Sequence, residues 1–238
     1  MKKKIFSSKA QNLLNLKLDK IKIPKSFFFT VEEFKKNQFK ILKRIEDKFS
    51  NKIIVRSSNK FEDANKSSLA GSFLSIPNVN SKKRTELKKA ILEVINSYKK
   101  FYNSKNEVLI QDYITNVKVS GVATSCDLKE YSPYITINYS TDNNTSAITS
   151  GKKNYKTFVA LRNSKINKKH KIFKNIINLL EKLIIKFENE FIEIEFAVNR
   201  KDFLYLLQVR PIAKSVKKTI DHNFASKTLM KLEKKILK

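Results

Sequence analysis

Two glutamates and two polar residues near the end of the chain have types and spacing that could do chemistry. Residues 191–198 alternate apolar and polar side chains, so a strand there places Glu193 and Glu195 on the face opposite its apolar side chains. A second strand-like run follows and carries Gln208 and Arg210. Carboxylate and amide oxygens suit Mg²⁺, and a guanidinium beside the metal neutralises phosphate charge. The pattern predicts a hairpin that could hold a metal ion and phosphate groups.

The turn between these strands decides whether the four groups meet. If residues 199–202 make an even-length turn, Glu193 lies opposite Gln208. The same register places Arg210 opposite Phe191, and the polar groups share one face. An odd-length turn shifts the second strand by one position and separates them. The alternative interpretation is a half-solvated strand face whose acids pair with lysines elsewhere in the chain.

Length and composition indicate a globular protein. The chain has 238 residues, of which 41% are hydrophobic, enough for one large domain or two closely packed lobes. No stretch approaches the roughly 20 uninterrupted apolar residues of a membrane span, and the basic first residues lead into Ser7 and Ser8. We therefore expect a cytoplasmic protein with no membrane partner. The single Cys126 excludes an internal disulfide, and His170 and His222 are too few for a zinc cluster.

The net charge of +28 raises the question of an anionic partner, because Lys and Arg dominate binding to nucleic acids and anionic membranes. Lysine occurs in every segment alongside abundant Asn and Ile, and only six of the 50 basic residues are Arg. This even spread indicates a compositional bias, whereas a dedicated binder concentrates its charge on one face or tail. A nucleic-acid partner is therefore not expected.

Residue types that this composition avoids mark places where geometry or chemistry requires them. The three glycines, Gly71, Gly121 and Gly151, are expected where a Cβ is not tolerated, at positive φ or where the backbone approaches a ligand. Arg56 and Arg210 each lie at the end of an apolar strand-like run. Their planar fork suits phosphate better than the point charge of lysine does.

Hydrophobic periodicity predicts alternating strands and helices in the first half of the chain. Ser7 or Ser8 is expected to cap a short helix over residues 8–18. Thr30 and Glu33 form a capping-box pattern that opens a helix ending at Phe49. Further predicted elements are strands over residues 26–29, 52–56 and 73–76, a loop over residues 57–68 and a helix over residues 84–102.

The second half changes character towards a mixed or antiparallel sheet. Its predicted elements are strands over residues 108–114, 120–125, 133–140 and 156–161, a helix over residues 172–187, the hairpin over residues 191–211 and a basic helix over residues 224–238. The expected fold class is α+β, with two interlocked lobes, mixed or antiparallel sheets and flanking helices. The expected divisions are an N-terminal lobe over residues 1–103, a C-terminal lobe over residues 104–213 and a basic helical tail over residues 214–238.

Several short motifs occur in a fixed order along the chain. They are SKAQNL (residues 8–13), VRSS (55–58), ED (62–63), AG (70–71), VLIQ (108–111), SGV (120–122), TSG (149–151), EIEF (193–196) and LLQVRPI (206–212). Together they resemble the nucleotide-binding domain of the phosphoenolpyruvate synthase/pyruvate phosphate dikinase family, which has the ATP-grasp fold. The spelling is most similar to the glutamine-kinase-like members of surface-polysaccharide pathways. The resemblance implies ATP and Mg²⁺ as cofactors.

The resemblance also implies which residues contact the phosphates of ATP. Lys9 and Arg56 would bind them, and a loop containing Gly71 and Ser75 would cover them. Arg210 would clamp the phosphate that is transferred. Lys9, Arg56 and Arg210 are therefore the candidate catalytic residues. A position in a first helical turn suits Lys9, because amides and the helix dipole there favour an anion.

The same resemblance assigns the adenine and the metal. Gln111, Tyr113 and Ile114 would occupy the segment that holds adenine. Glu195 and Gln208 would ligate Mg²⁺.

Enzymes of this family pass phosphate from ATP to a histidine on a separate swivelling domain, within a T-S-H-x-A-like motif. The sequence has no such motif, since His170 lies among lysines and His222 lies in a polar segment. The resemblance therefore implies a phosphohistidine-carrier domain or subunit in trans as a partner.

Three functions stay open at this point. The first is an ATP-grasp half-enzyme that phosphorylates such a carrier. The second is a regulatory remnant that binds ATP without transfer, and the third is a basic protein that binds nucleic acid or a membrane surface.

Overall fold

The chain forms two compact units in a computed structural model that describes residues 8–14, 16, 18–58, 74–98, 102–142, 155–164, 170–212 and 225–230. The four-stranded unit comprises Ser7–Asp19 and Ile23–Thr115. The six-stranded unit comprises Met1–Phe6, Lys20–Lys22 and Asn116–Lys238. Each unit is named after its sheet.

The described helices and strands follow one another in this order: α1 (Lys9–Leu14), β1 (Ile21–Lys22), β2 (Ser26–Thr30), α2 (Val31–Lys36), α3 (Gln38–Lys48), β3 (Lys52–Ser58), β4 (Ser75–Asn80), α4 (Arg84–Ser97), β5 (Glu107–Asp112), β6 (Val117–Thr124), β7 (Tyr134–Ser140), β8 (Lys156–Leu161), α5 (Lys171–Phe187), β9 (Ile192–Asn199) and β10 (Leu204–Pro211). Residues 225–230 are also helical.

The sheet of the four-stranded unit has the order β2-β5-β3-β4, and its neighbouring strands are antiparallel. One face carries the apolar alternate residues and packs against α2, α3 and α4. The largest buried side chains of this core are Phe34, Phe49, Tyr98, Ile45, Ile53, Leu87, Ile91 and Ile110. Because successive side chains of a strand point to opposite faces, Val108 and Ile110 of β5 enter the core while Glu107, Leu109 and Gln111 face away from it.

The capping box predicted after β2 is confirmed. The Thr30 hydroxyl accepts the Glu33 N–H at 3.1 Å, and the Glu33 carboxylate accepts the Thr30 N–H at 2.6 Å. The single long helix predicted from this cap was wrong, because Asn37 leaves helical geometry at φ −140° and ψ 51° and separates α2 from α3. Asn is a weak helix former, and its backbone here still accepts the Ile41 N–H at 3.1 Å. The apolar stripe therefore continues across the break.

The sheet of the six-stranded unit has the order β1-β10-β9-β6-β7-β8. β1 pairs in parallel with β10 and the other neighbours are antiparallel, so the sheet is mixed. α5 packs against β9 and β6. Its buried side chains form one stripe: Ile176, Ile177, Leu179, Leu180, Leu183, Ile184 and Phe187.

Gly121 of β6 lies where the backbone of β7 comes too close for any side chain. A Cβ at this position would lie 2.1 Å from the carbonyl oxygen of Asn138, 3.0 Å from Cα of Tyr139 and 3.0 Å from Cζ of Phe196. The sequence-based expectation that a Cβ is not tolerated here is confirmed, although what approaches is the backbone of β7 and not a ligand. Gly71 and Gly151 lie outside the described residues.

The α+β class with two sheets and flanking helices is confirmed. In the middle of the chain, the change from the four-stranded to the six-stranded unit falls between Thr115 and Asn116, because β5 pairs with β2 and β3. The lobe divisions expected from the sequence stay a prediction. Of the predicted basic tail helix, residues 225–230 are described and helical. Across the described part of the chain, no helix is long and apolar enough to cross a membrane.

Candidate functional site

The sheet of the six-stranded unit has a polar face on the side away from α5. Directly opposite residues of antiparallel strands project from the same face, so side chains form rows across the sheet. One row contains Arg210, Glu193, Thr124 and Thr136, and the next contains Gln208, Glu195, Val122 and Asn138. We call these two rows the polar face. It collects carboxylate, amide and hydroxyl oxygens in a chain whose charge is otherwise strongly positive.

The cross-strand partners on the polar face differ from the predicted ones. Gln208 lies opposite Glu195, and Arg210 lies opposite Glu193. The predicted pairing of Glu193 with Gln208 and of Phe191 with Arg210 was wrong. The prediction that both glutamates, the amide and the guanidinium share one face is confirmed.

Two irregularities of the hairpin produce this register. Asn199 organises the turn, since its Oδ1 accepts the N–H groups of Lys201 and Phe203, each at 3.0 Å, and Asp202 adopts a left-handed φ of 59°. The turn is therefore not the even-length one assumed from the sequence. A β-bulge at Leu207 then adds one residue to β10 between the pairs that flank it. The turn and the bulge each shift the pairing by one residue. Together they shift it by two, so the polar groups again lie on one face.

Glu193 and Arg210 form an ion pair within the polar face. Oε1 of Glu193 lies 2.7 Å from Nε of Arg210 and 2.5 Å from its Nη2. The Glu193 side chain is 15% exposed and that of Arg210 is 31% exposed. Partial burial strengthens a charge-assisted contact of this kind relative to one at a fully exposed surface. Glu193 therefore fixes the guanidinium fork of Arg210 on this face.

Glu195 and Gln208 lie directly opposite each other, one row away from the ion pair. Gln208 is 3% exposed and Glu195 is half-buried. Side chains paired in this way have Cβ atoms about 5 Å apart, close enough for both oxygens to reach one ion. In the part of the chain that the structure describes, no group of three or more His, Cys, Asp or Glu residues could hold a metal. The donor set nevertheless fits Mg²⁺, which takes one or two protein carboxylates and completes its shell with phosphate and water.

Arg56, Ser75 and Gln111 lie on one face of the four-stranded sheet, opposite its apolar core. Arg56 on β3 pairs with Ser75 at the start of β4 and with Leu109 on β5. Gln111 follows Leu109 by two positions and so points the same way. Arg56 is 7% exposed and Gln111 is 1% exposed. The structure therefore brings these three predicted ATP-binding residues to one face, although the sequence had assigned Gln111 to the other lobe.

The segment predicted to hold adenine is the end of β5 and the residues after it. Gln111 is the penultimate residue of the strand, while Tyr113 and Ile114 follow it and are half-buried. Between them, burial raises the pKa of the Asp112 carboxyl, and the charge of Lys25 opposes that shift. The adenine role of the segment stays a prediction.

Lys9 begins α1 and is buried, with 6% of its surface exposed. Ser8 precedes the helix as expected for its cap, and its Oγ accepts the Gln11 N–H at 3.5 Å. The Ser8 hydroxyl also donates to Glu107, whose carboxylate accepts Nε2 of Gln11 at 2.6 Å and Oγ of Ser58 at 3.3 Å. Sequence reasoning missed Glu107. An acid at the start of a buried strand, in a chain with 50 basic and 22 acidic residues, was the available signal.

Both histidines were expected at the surface. His170 is exposed, and its ring lies 5.3 Å from that of Phe158. His222 and the residues around Gly71 lie outside the described residues.

No model of a known protein family matches the chain, and no curated protein matches it. Among solved structures, the chain is similar to D-alanine-D-alanine ligase from Helicobacter pylori, with 21% identity, 81% of this chain and 50% of that chain covered, and a TM-score of 0.45. It is similar to VanG D-Ala:D-Ser ligase from Enterococcus faecalis, with 13% identity, coverages of 88% and 53%, and a TM-score of 0.47. It is also similar to PH1788 from Pyrococcus horikoshii Ot3, with 13% identity, 82% of this chain and 85% of that chain covered, and a TM-score of 0.49. The chain spans about half the length of these two ligases. At such identities and scores, no residue role passes from these proteins to this chain.

Proposed function

We propose that the chain binds Mg·ATP as the ATP-grasp nucleotide-binding portion of a phosphotransferase similar to phosphoenolpyruvate synthase. The observation that carries this proposal is the polar face, where Glu195 lies opposite Gln208 and Arg210 occupies the adjoining row beside Glu193. The ordered motifs of the sequence also support it, because the family they resemble implies metal and phosphate contacts for Glu195, Gln208 and Arg210.

On the polar face, Glu195 and Gln208 would hold Mg²⁺ through a carboxylate and an amide oxygen. The ion, when bound, supplies positive charge that neutralises phosphate oxygens. Arg210 presents its fork in the adjoining row and would bind the transferred phosphate. Glu193 orients that fork through the contacts of 2.7 and 2.5 Å.

Within the four-stranded unit, Lys9 and Arg56 are proposed to contact phosphate oxygens. Both side chains are buried, so their charges are less screened than those of the surface lysines. The segment from Gln111 to Ile114 is proposed to hold adenine, and the loop that precedes Ser75 to cover the phosphates.

The proposed acceptor is a histidine on a carrier domain or subunit outside this sequence. Neither His170 nor His222 lies in the motif that the resemblance requires. The chain would then supply bound, oriented ATP, from which phosphate would pass to a carrier imidazole while the remaining nucleotide leaves.

The binding proposal is tested by calorimetric titration with ATP, once in the presence of Mg²⁺ and once with a chelator in place of Mg²⁺. Glu195→Gln should weaken Mg·ATP binding about 10- to 100-fold, the cost of losing one charged contact. Asp202→Asn is the matched control, because Asp202 lies in the turn of the same hairpin and pairs with Lys118 at 2.9 Å. It should leave the affinity unchanged. If wild type shows no saturable Mg·ATP binding, or if it binds DNA with strong salt dependence instead, the proposal is wrong.

Arg210→Lys tests the fork separately from its charge. Lysine keeps the positive charge but cannot make the paired contact to Glu193 or to a phosphate, so the affinity for Mg·ATP should fall. Arg200→Lys, in the turn of the hairpin, should have no effect.

Transfer is tested by incubating the protein with candidate proteins that carry the histidine domain and with ATP labelled at the β- or at the γ-phosphate, in separate reactions. Acid-labile label on the partner is the expected result. Binding of Mg·ATP without label on any such partner would leave a nucleotide-binding protein and refute the phosphotransferase part.

A further inference from the structure

Two hydrogen bonds to the Glu107 carboxylate connect α1 and its cap to the sheet of the four-stranded unit, and a third comes from the sheet itself. The Ser8 hydroxyl and the Gln11 amide belong to α1 and its cap, and the Ser58 hydroxyl belongs to the end of β3. Glu107 itself begins β5 and is 7% exposed. Its carboxylate therefore joins one helix to two strands at a single buried point.

The residues that make these contacts lie on both sides of Lys9 in the sequence. Ser8 and Gln11 bind Glu107, and the N–H of Ala10 donates to Oγ of Ser58 at 3.2 Å. The residues on either side of Lys9 are thus each tied to the same short stretch of sheet. The start of α1 therefore has little freedom to slide or rotate against the sheet.

The same stretch of sheet carries Arg56. Ser58 lies opposite Glu107 in the β3–β5 ladder, and Arg56 lies opposite Leu109, two residues along each strand. Residues two apart in a strand lie about 7 Å apart and point to the same face. The contacts to Glu107 and Ser58 therefore set where Lys9 stands relative to Arg56.

Tyr98 fixes the ladder at this point from the core side. Its hydroxyl accepts the N–H of Ser58 at 3.0 Å and donates to the carbonyl oxygen of Glu107. Tyr98 is fully buried. The backbone beneath the Glu107 carboxylate is consequently held by a contact that does not involve that carboxylate, so the side chain can be changed without removing the ladder's own support.

We propose that Glu107 is a positioning residue for nucleotide phosphates: its buried carboxylate holds α1 so that Lys9 and Arg56 are set at a fixed spacing before ATP arrives. Preorganised cations bind phosphate more tightly, because little side-chain and backbone freedom is lost on binding. This inference rests on the proposed function, since it assumes that Lys9 and Arg56 contact phosphates.

Glu107→Gln tests the proposal with an almost isosteric change. The amide removes the charge and presents an NH₂ group in place of one carboxylate oxygen, so the contacts from α1 lose their charge assistance and one of them is reversed or lost. Affinities for Mg·ATP and for AMP are measured by calorimetry well below the unfolding temperature. The ATP affinity should fall about tenfold relative to the AMP affinity, a change of roughly 1.4 kcal/mol in binding.

Glu86→Gln is the matched control. Its carboxylate also accepts a hydrogen bond within the same unit, from the N–H of Asn80 at 2.8 Å, but it lies on α4, which packs on the apolar face of the sheet. It should leave the ratio of the two affinities unchanged. A second arm repeats Glu107→Gln in a Lys9→Ala background, where positioning through Lys9 predicts little further loss.

Several outcomes overturn the proposal. They are an unchanged ATP affinity in folded Glu107→Gln, equal losses for ATP and AMP, or a full additional loss in the Lys9→Ala background. If Glu107→Gln does not fold, Ser8→Ala removes one donor and should lower the ATP-to-AMP affinity ratio about threefold, with no change in that ratio refuting the idea. Failure of the wild type to bind Mg·ATP overturns the proposed function and this inference together, whereas wild-type binding with an unaffected Glu107→Gln overturns the inference alone.

Discussion

Replacement of Gly121 by alanine should destabilise the protein through one contact that can be located in advance. The new methyl carbon would lie 2.1 Å from the carbonyl oxygen of Asn138, well inside any permitted separation, and 3.0 Å from two further carbon atoms. The nearest obstacle belongs to the backbone of β7, which is paired with β6 on one side and β8 on the other and cannot turn aside as a side chain would. β6 and β7 must therefore move apart locally.

Overpacked interiors typically lose about 1–3 kcal/mol, and a backbone obstacle places this variant at the upper end of that range. Alanine also restricts the unfolded chain, which returns about 0.4–1 kcal/mol. The expected net loss is about 2–2.6 kcal/mol, which corresponds to a fall in unfolding temperature of roughly 4–10 °C for a protein of this size.

Urea and thermal unfolding followed by circular dichroism measure this loss. Val122→Ala is the control, since it removes atoms from a half-exposed side chain on the neighbouring position of β6 and should cost no more than about 1 kcal/mol. Equal or greater stability of Gly121→Ala than of wild type would refute the close approach of β7 described above.

Three further substitutions should each change the free energy of unfolding in a direction that the structure determines. Burial raises the pKa of Glu181, so the folded state favours its protonated form and a charged Glu181 costs stability as the pH rises through the folded pKa. Glu181→Gln should therefore raise the free energy of unfolding at neutral pH and have no effect below the ordinary pKa; a loss at neutral pH contradicts this. Thr30→Ala removes the cap that binds Glu33 and should cost about 1 kcal/mol in urea unfolding, with no change counting against the capping box. The hydrogen bond from Arg84 lowers the pKa of Glu46, so its stabilisation is present above the unfolded pKa and is lost as the pH falls through the folded one. Glu46→Gln should be less stable than wild type at neutral pH and low salt, and a difference that persists in strong acid would argue against the ion pair.

The sequence was sufficient for features that depend on local periodicity and caps. Strand β8 and helix α5 lie within one residue of their predicted bounds, because an apolar stripe and its polar flanks define them. The capping box of Thr30 and Glu33 was recognised from two residues. Gly121 was identified as a close-packed position because glycine is so scarce in this chain.

The pairing within the hairpin could not be derived in the same way. It depends on how Asn199 folds the turn and on where β10 takes up an extra residue, and neither follows from alternation alone. The face shared by Glu195 and Gln208 was predicted from an even-length turn that the structure does not have, and the bulge at Leu207 restores it; neither the bulge nor their partnership was predictable.

Glu107 was missed for a related reason. Its three partners are Ser8, Gln11 and Ser58, which are far from Glu107 in the sequence. The residues next to Glu107 therefore do not indicate these contacts. Periodicity predicts that a residue lies on a face of a strand but not what covers that face. Polar networks between distant segments are therefore visible only in the fold.

Because of the β-bulge at Leu207, β10 has one residue more than its pairing with β9 requires. On either side of it, Leu206 pairs with Phe196 and Gln208 pairs with Glu195, which are consecutive residues of β9. A chain lacking Leu207 could therefore form a regular ladder with every one of these partners retained. Different residues therefore determine the pairing of the polar groups and the curvature of β10. Substitutions at the polar face change its chemistry, whereas deletion of Leu207 would straighten β10 and leave Gln208 opposite Glu195.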